Sequence, residues 1–555
     1  MLRSRAQTLP GLTAAAGPGT AEAGAPLADA AGTGSTGTGS TETGTSRSWL
    51  GSRAWLPVLI PVLAALLSGS YRLGVPSLWR DEAATADAAQ RSLPQIMSLL
   101  RHVDAVNGTY YLLMHAVITA LGSSAQALRL PSALAMAVAA AVTAALGRRL
   151  AAAAGLRAPA VTGTLAGLLL TADPQAIRYA QEARAYGVVT MLATIASYLL
   201  VRAAGDGRRR WWAGYAAVIM LAGLFNVFSL LLLPAHAVTV LLGPGRGRAG
   251  RPVARGWTTA AAAGALAVSP LLVIGYLQGR QIGWLGSPSA GLLFSVVSGF
   301  AGSRWLLFPV TLLAVCGVAA GRRPRRAHAL TPGVLALPWL VLPTVILFIA
   351  ALTIHPVFTN RYVVFSLPAL AVLVAAGLSW LAEQAGAVIG RARPGRPAAA
   401  ASWLPPAVVL VILAVMLAGP EQAMRQPYSR ADNLRQAAAV LAAQERPGDA
   451  VFYLPTGRRI MSFAYPDPFR RLRDIALLSS PAASGTLNGT EVTAATLTSR
   501  AAGVQRIWLI TVASGPHLPA GSARVNRAKI ALIGRMRQAG LWDAGAVRLR
   551  LYARQ

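Results

Sequence analysis

From Trp55 onward the chain is a succession of apolar runs separated by short polar loops. A bilayer core takes roughly 17–25 helical residues to cross. Runs near that length lie at about 55–74, 127–147, 159–173, 186–203, 211–224, 227–242, 257–276, 304–320, 332–353, 362–382 and 403–419, eleven in all. The third and fifth are short, and 211–242 reads as two short passes bent near Asn226. The run Tyr110 to Leu121 is too short to span. It reads as a helix at the outer surface, or re-entering the membrane, within a long first outer loop of about 76–126.

Arginine placement orients these spans. With the N-terminus in the cytoplasm, the inner loops hold Arg148, Arg149 and Arg157, then Arg202 with Arg208 to Arg210, then Arg246, Arg248, Arg251 and Arg255. Arg322, Arg323, Arg325 and Arg326 follow, then Arg391, Arg393 and Arg396. Every inner loop carries at least three, as the positive-inside rule asks. The expectation is a multi-pass plasma-membrane protein whose C-terminal segment, from about 420, lies outside.

Composition narrows the class. The 555 residues are 54% hydrophobic and 13% charged, against about 25% charged in an average soluble protein. That excludes an ordinary soluble enzyme. A net charge of +32 invites a nucleic-acid reading, but the arginines sit in loops between spans, so no nucleic-acid partner is expected. The single cysteine, Cys316, lies in an apolar run and reads as a core residue. Residues 1–48, rich in Gly, Ala, Thr and Ser, read as a disordered cytoplasmic tail. The first apolar run then serves as an uncleaved signal anchor.

The segment 421–555 reads differently. An amphipathic helix is expected over Arg430 to Glu445, strands at Ala450 to Leu454 and Arg506 to Val512, and a helix near Ala523 to Gln538. These predict a small α/β domain outside the membrane, after the 49–420 membrane domain.

Carboxylates are scarce between 55 and 419: Asp81, Glu82, Asp87, Asp104, Asp173, Glu182, Asp206 and Glu383. Six of these fall in the first two outer loops of the expected topology. Ionisable groups near the membrane are costly and mark function. Asp81 and Glu82 stand out, just past the first span and flanked by Trp79 and Arg80.

The segment Ser77-Leu78-Trp79-Arg80-Asp81-Glu82 is followed by His102-Val103-Asp104, Asn107, Tyr110-Tyr111 and then Arg129-Leu130-Pro131-Ser132. Further on come Asp173-Pro174 through Gln181-Glu182-Ala183-Arg184-Ala185-Tyr186 and His355-Pro356 through Asn360-Arg361-Tyr362. This order resembles the GT-C superfold of membrane glycosyltransferases. It is most similar to the family 39-like, protein-mannosyltransferase-type enzymes that use polyprenyl-phosphate sugars. The resemblance covers roughly 55–420, with Thr109 standing where the family usually has proline. It implies an Asp-Glu pair that supplies the catalytic Asp, and a single displacement with inversion.

A phosphate leaves readily, so the chemistry needs a base for the acceptor hydroxyl more than a strong acid. That role falls to Asp81, with Glu82 orienting the acceptor or a helper group. His102, Asp104, Asn107 and Tyr110 are the acceptor-side candidates. Arg184, Arg361, Tyr362 and Arg178 are the donor-phosphate candidates, since guanidinium forks match phosphate oxygens. Arg129 reads as a cap or anchor of its helix, and Glu182 as a holder of Arg184 or Arg178. Asp81, Glu82, Asp104 and His102 have suitable ligand atoms for a divalent metal, but their spacing matches no fixed motif, so a metal stays open.

The function expected is transfer of a sugar, mannose or alternatively a pentose, from a polyprenyl-phosphate carrier. The acceptor is a hydroxyl on a protein, glycolipid or polysaccharide of the cell envelope. The alternatives are a transporter or lipid flippase, and a membrane-anchored binding protein. Convergence of Asp81, Arg184 and Arg361 on one outward cavity distinguishes the enzyme from both.

Overall fold

Each expected apolar run forms helix in the computed structural model, which describes residues 55–279, 288–321, 329–392, 404–513 and 523–555. The expected tail, 1–48, and the loop arginines Arg322, Arg323, Arg325, Arg326, Arg393 and Arg396 lie outside the described residues. The helices are α1 (Leu56–Ser70), α2 (Arg80–Gln90), α3 (Leu93–His102), α4 (Gly108–Leu121), α5 (Ala125–Ala154), α6 (Pro159–Ala172), α7 (Pro174–Ala180) and α8 (Tyr186–Asp206). They continue as α9 (Arg209–Phe225), α10 (Leu232–Leu242), α11 (Gly247–Leu277), α12 (Ala290–Phe300), α13 (Leu307–Ala320), α14 (Pro332–Thr353), α15 (Leu367–Ala392) and α16 (Leu404–Met424). Among the described residues six helices are long and apolar enough to cross a membrane, or seven if the bent pair Ala290–Phe300 and Arg304–Ala320 is one span. Several shorter apolar helices, including Leu56–Ser70 and Pro159–Ala172, accompany them.

Two features of the apolar helices differ from the sequence expectation. α11 starts ten residues before the expected span, so Arg248, Arg251 and Arg255 lie on the helix rather than in a loop. α12 precedes the run at 304–320 and meets it at 76°. Asn226 lies where the 211–242 run breaks: its side chain accepts from the Phe228 N–H at 3.0 Å and starts a short 3-10 turn before α10.

Small residues set the helix crossings. Gly317 of α13 and Gly377 of α15 face each other's helix so closely that a Cβ on either would collide with a backbone carbonyl, that of Leu373 or Leu313.

Beyond α16 the chain forms α17 (Leu434–Gln444) and strands β1 (Ala450–Leu454), β2 (Leu477–Ser479), β3 (Thr490–Glu491), β4 (Arg506–Val512), β5 (Arg537–Ala544) and β6 (Val547–Ala553). The main sheet runs β1-β4-β6-β5. β1 is parallel to β4, with Ala450 opposite Ile507, and β6 is antiparallel to both β4 and β5. The helix expected near Ala523 to Gln538 is shorter, Arg524–Ile533. Residues from Arg537 belong instead to an antiparallel hairpin that turns at Gly545, whose φ is +62°. A positive φ there suits glycine, which has no Cβ to clash.

This C-terminal sheet is not remote from the Asp81 loop. Ala83 of α2 is fully buried among Leu434, Val451, Ile460 and Trp508. The Ser77 N–H donates to the Pro427 carbonyl at 3.0 Å. Arg435 donates to the Val75 and Gly74 carbonyls at 2.8 and 2.9 Å. The Tyr465 hydroxyl receives the Leu78 N–H at 3.0 Å.

Candidate active site

α2 begins at Arg80 because Trp79 is extended and the Glu82 side chain turns back to the Trp79 N–H at 3.4 Å. Acidic residues in a first turn also suit the positive end of the helix dipole. This turn sends Asp81 and Glu82 in different directions.

Glu82 is fully buried. Arg129, from α5, grips it with Nε to Oε1 at 2.7 Å and Nη2 to Oε2 at 2.8 Å. The Ala183 N–H adds a bond to Oε1 at 2.9 Å. Burial pushes the Glu82 carboxyl up, but the Arg129 guanidinium and these hydrogen bonds outweigh it and hold the carboxyl below its ordinary range. The remaining Arg129 donors tie down the Leu73, Pro76 and Ser77 carbonyls at 2.8, 3.0 and 3.1 Å. Glu82 therefore has no exposed surface to offer an acceptor, and the group it orients is the Arg129 guanidinium. Its pair with Arg129 is the buried peg that fixes the loop carrying Asp81.

Asp81 keeps 22% of its side chain exposed. Its Oδ2 accepts from Arg361 Nη1 at 2.8 Å, and Arg80 Nε stands 3.8 Å from Oδ1. The Arg361 guanidinium lies 5.9 Å from the centre of the Trp79 ring and 5.5 Å from that of Tyr362. Its Nε and the Trp79 Nε1 are both buried without a hydrogen-bond partner. Tyr362 stacks on Phe228 at 4.3 Å and lies 6.5 Å from Tyr186, so the ring that flanks Arg361 is held on two sides.

Arg184 joins the cluster from the loop before α8. It donates to Thr85 Oγ1 of α2 at 3.3 Å and to Asn107 Oδ1 at 3.2 Å. Asn107 in turn donates to Asp104 Oδ1 at 3.1 Å, and Tyr111 donates to Asp104 Oδ2 at 2.5 Å. Asp104 has φ of +64°, a conformation that aspartate tolerates better than most residues. Asp104 and Asn107 thus orient Arg184.

The other candidates flank the cluster or lie at the surface. His102 is exposed at the end of α3 and bonds the Ser98 carbonyl at 2.8 Å. Tyr110 is 1% exposed and packs in the helical core. Arg178 is 30% exposed, with Nε 3.8 Å from Glu182. Among the described residues no group of three or more His, Cys, Asp or Glu side chains could hold a metal ion. Asp81, Arg184 and Arg361 do converge. Asp81 and Arg361 are directly paired, Arg184 lies within the field of Asp81, and none of the three lines the apolar cavity of about 350 Å³ that Ser68, Asp173, Leu370, Leu413 and Glu421 help to line.

This arrangement can be set beside known proteins. Residues 109–274 match the family described as dolichyl-phosphate-mannose-protein mannosyltransferase. ArnT from Cupriavidus metallidurans in its apo state superposes with a TM-score of 0.55 at 15% identity, over 91% of this chain and 98% of that one. The same protein bound to undecaprenyl phosphate gives 0.50 at 14%, over 90% and 98%. This is the GT-C fold of membrane glycosyltransferases. No curated protein sequence matches the chain.

The resemblance to the GT-C superfold read from these ordered segments is borne out. Sequence reading passed over Arg430, which enters from the C-terminal segment. It is 3% exposed, and its Nη2 donates to the Gln181 carbonyl at 2.8 Å. It stands at the start of the amphipathic helix expected over Arg430 to Glu445, whereas the helix begins at Leu434 and leaves Arg430 in the loop before it. The signal was there in Arg430-Ala431-Asp432, a charged pair at the point where the chain leaves the last apolar helix.

Proposed function

We propose that this chain transfers a sugar from a polyprenyl-phosphate carrier to an acceptor hydroxyl at the outer face of the plasma membrane. Asp81 acts as general base and the anomeric centre inverts. The observation that carries the reading is the contact between Asp81 and Arg361, with Arg184 held on Thr85 of the same helix as Asp81. A base for the incoming hydroxyl and two fixed cations for the departing phosphate then stand within one small cluster. Charge that develops on the leaving phosphate meets guanidinium groups already oriented, which lowers the barrier without reorganisation. A carboxylate within hydrogen-bond reach of the acceptor removes its proton as the new bond forms.

The partly exposed Asp81, the unpaired Arg361 Nε and the unpaired Trp79 Nε1 support the reading further. These donors suit phosphate or sugar oxygens. Mannose is the first sugar to test, since it appears in the description of the matching family. A pentose is the second. Acceptors are a protein, a glycolipid or a cell-envelope polysaccharide, and this reading puts the C-terminal sheet outside the membrane with the Asp81 loop.

The test presents membranes carrying the full chain with radiolabelled polyprenyl-phosphate mannose, then with the corresponding pentose donor. Label should leave the carrier lipid for one acceptor fraction, in the anomeric form opposite to that of the donor. Retained configuration would contradict single displacement. No release from either donor, compared with membranes lacking the chain, would contradict the transfer itself.

A further inference from the structure

Two buried charges beside the Asp81 cluster are not used by the mechanism above. Glu182 is 1% exposed, and neither of its carboxylate oxygens has a hydrogen-bond partner. Its one ion pair among the described residues is with Arg178 Nε at 3.8 Å, too long for a hydrogen bond. Arg430, 3% exposed, uses Nη2 on the Gln181 carbonyl, while its Nε and Nη1 have no partner. Each lies in the other's field. Burial pushes the Glu182 carboxyl up, Arg430 and then Arg178 oppose that, and Glu82 and Asp81 add to it. A buried polar group left unmade costs about 1–3 kcal/mol, and a charged one more. Here an acceptor and a donor set of that kind are brought together across the sequence, Arg430 bonding the carbonyl of the residue next to Glu182.

The chemistry that would satisfy both is narrow. Glu182 needs a donor and Arg430 needs an acceptor. An anion would suit Arg430 and be repelled by Glu182, and an ammonium group would do the reverse. A hydroxyl gives its hydrogen and offers its lone pairs at once. Glu182 also stands two residues before Arg184, on the loop that supplies a phosphate-binding candidate. Arg178 is 30% exposed and not hydrogen-bonded to Glu182, so an incoming hydroxyl can displace it at small cost.

We propose that Glu182 and Arg430 form a recognition subsite for one hydroxyl of the sugar being transferred, the carboxylate accepting from the O–H and the guanidinium donating to the oxygen. This rests on the glycosyl-transfer reading and adds a source of donor specificity to it. A site built to hydrogen-bond a hydroxyl rejects the analogue that lacks it far more strongly than an apolar site rejects a missing methylene.

The experiment uses the full-length protein and the polyprenyl-phosphate sugar that it transfers, together with the set of monodeoxy forms of that sugar. Wild type should lose about 10,000-fold in kcat/KM for one deoxy position and far less for the others. Glu182→Gln should retain transfer from the parent donor at a reduced rate and flatten the discrimination to below about tenfold at that same position. Arg430→Gln should act on that position too. Wild type that treats every deoxy donor alike would overturn the subsite without recourse to any variant. Glu182→Gln that transfers with the wild-type discrimination pattern would also overturn it. Failure of wild type with the parent donor would instead strike at the glycosyl-transfer reading, and the subsite would fall with it.

Discussion

Asp81 and Glu82 are adjacent carboxylates with opposite surroundings. Glu82 and Arg129 are both fully buried and bound to each other twice. Removing one member of such a pair strands the other charge, at a cost of about 3–5 kcal/mol. Glu82→Ala should therefore lower the unfolding free energy of the detergent-solubilised protein by about that much. A loss below about 1 kcal/mol would mean the pair does not hold the loop. The sequence marked the two acids as a unit because they are neighbours in a chain poor in acids. It could not say which one was locked away, since that depends on a guanidinium 47 residues further on. Arg184 and Arg361 were legible because both stand in polar segments between apolar runs. Glu182 and Arg430 were not read as a pair, because their meeting depends on how the C-terminal segment packs.

At the level of elements, helix contacts and caps make their own predictions. Gly317 and Gly377 let α13 and α15 approach to backbone contact. Alanine at either position should destabilise the protein by about 1–3 kcal/mol, as overpacking does elsewhere, and a shift in thermal midpoint would report it. Asp173 caps α7, its Oδ1 accepting from the Gln175 and Ala176 N–H groups at 2.7 and 3.1 Å. Asp173→Ala removes that cap and should cost about 0.5–2 kcal/mol of stability, read as a fall in thermal midpoint. An unchanged midpoint would mean that the cap does not hold α7. Among the elements, β1 and β4 matched the sequence expectation because each is an apolar run bounded by polar residues. The hairpin of β5 and β6 was missed although Val547, Leu549 and Leu551 alternate with Arg548 and Arg550. That alternation places the apolar side chains inward. An expected helix extended to Gln538 had covered the start of β5.

Over the whole molecule, the C-terminal segment is part of the scaffold that places Asp81. Arg435 and Tyr465 hold the backbone of residues 74–78, and Arg80 stands 3.8 Å from both Asp81 and Asp432. Asp432 is itself fixed by Arg458 Nη1 at 2.7 Å. Arg435→Ala should lower kcat about tenfold while leaving KM for the donor within about twofold, because a misplaced base affects the transition state more than binding. A rise in KM alone would place Arg435 on the side of substrate binding.

The central claim, that Asp81 takes the proton while Arg361 and Arg184 receive the phosphate, is tested most directly by one comparison. Wild type and Asp81→Asn, purified in equal amounts with equal thermal midpoints, are given the same labelled polyprenyl-phosphate donor under single-turnover conditions. The account predicts that the variant still binds the donor but transfers at least about 100-fold more slowly, the lower end of the range for loss of a general base. Transfer by Asp81→Asn within a few-fold of wild type would contradict it.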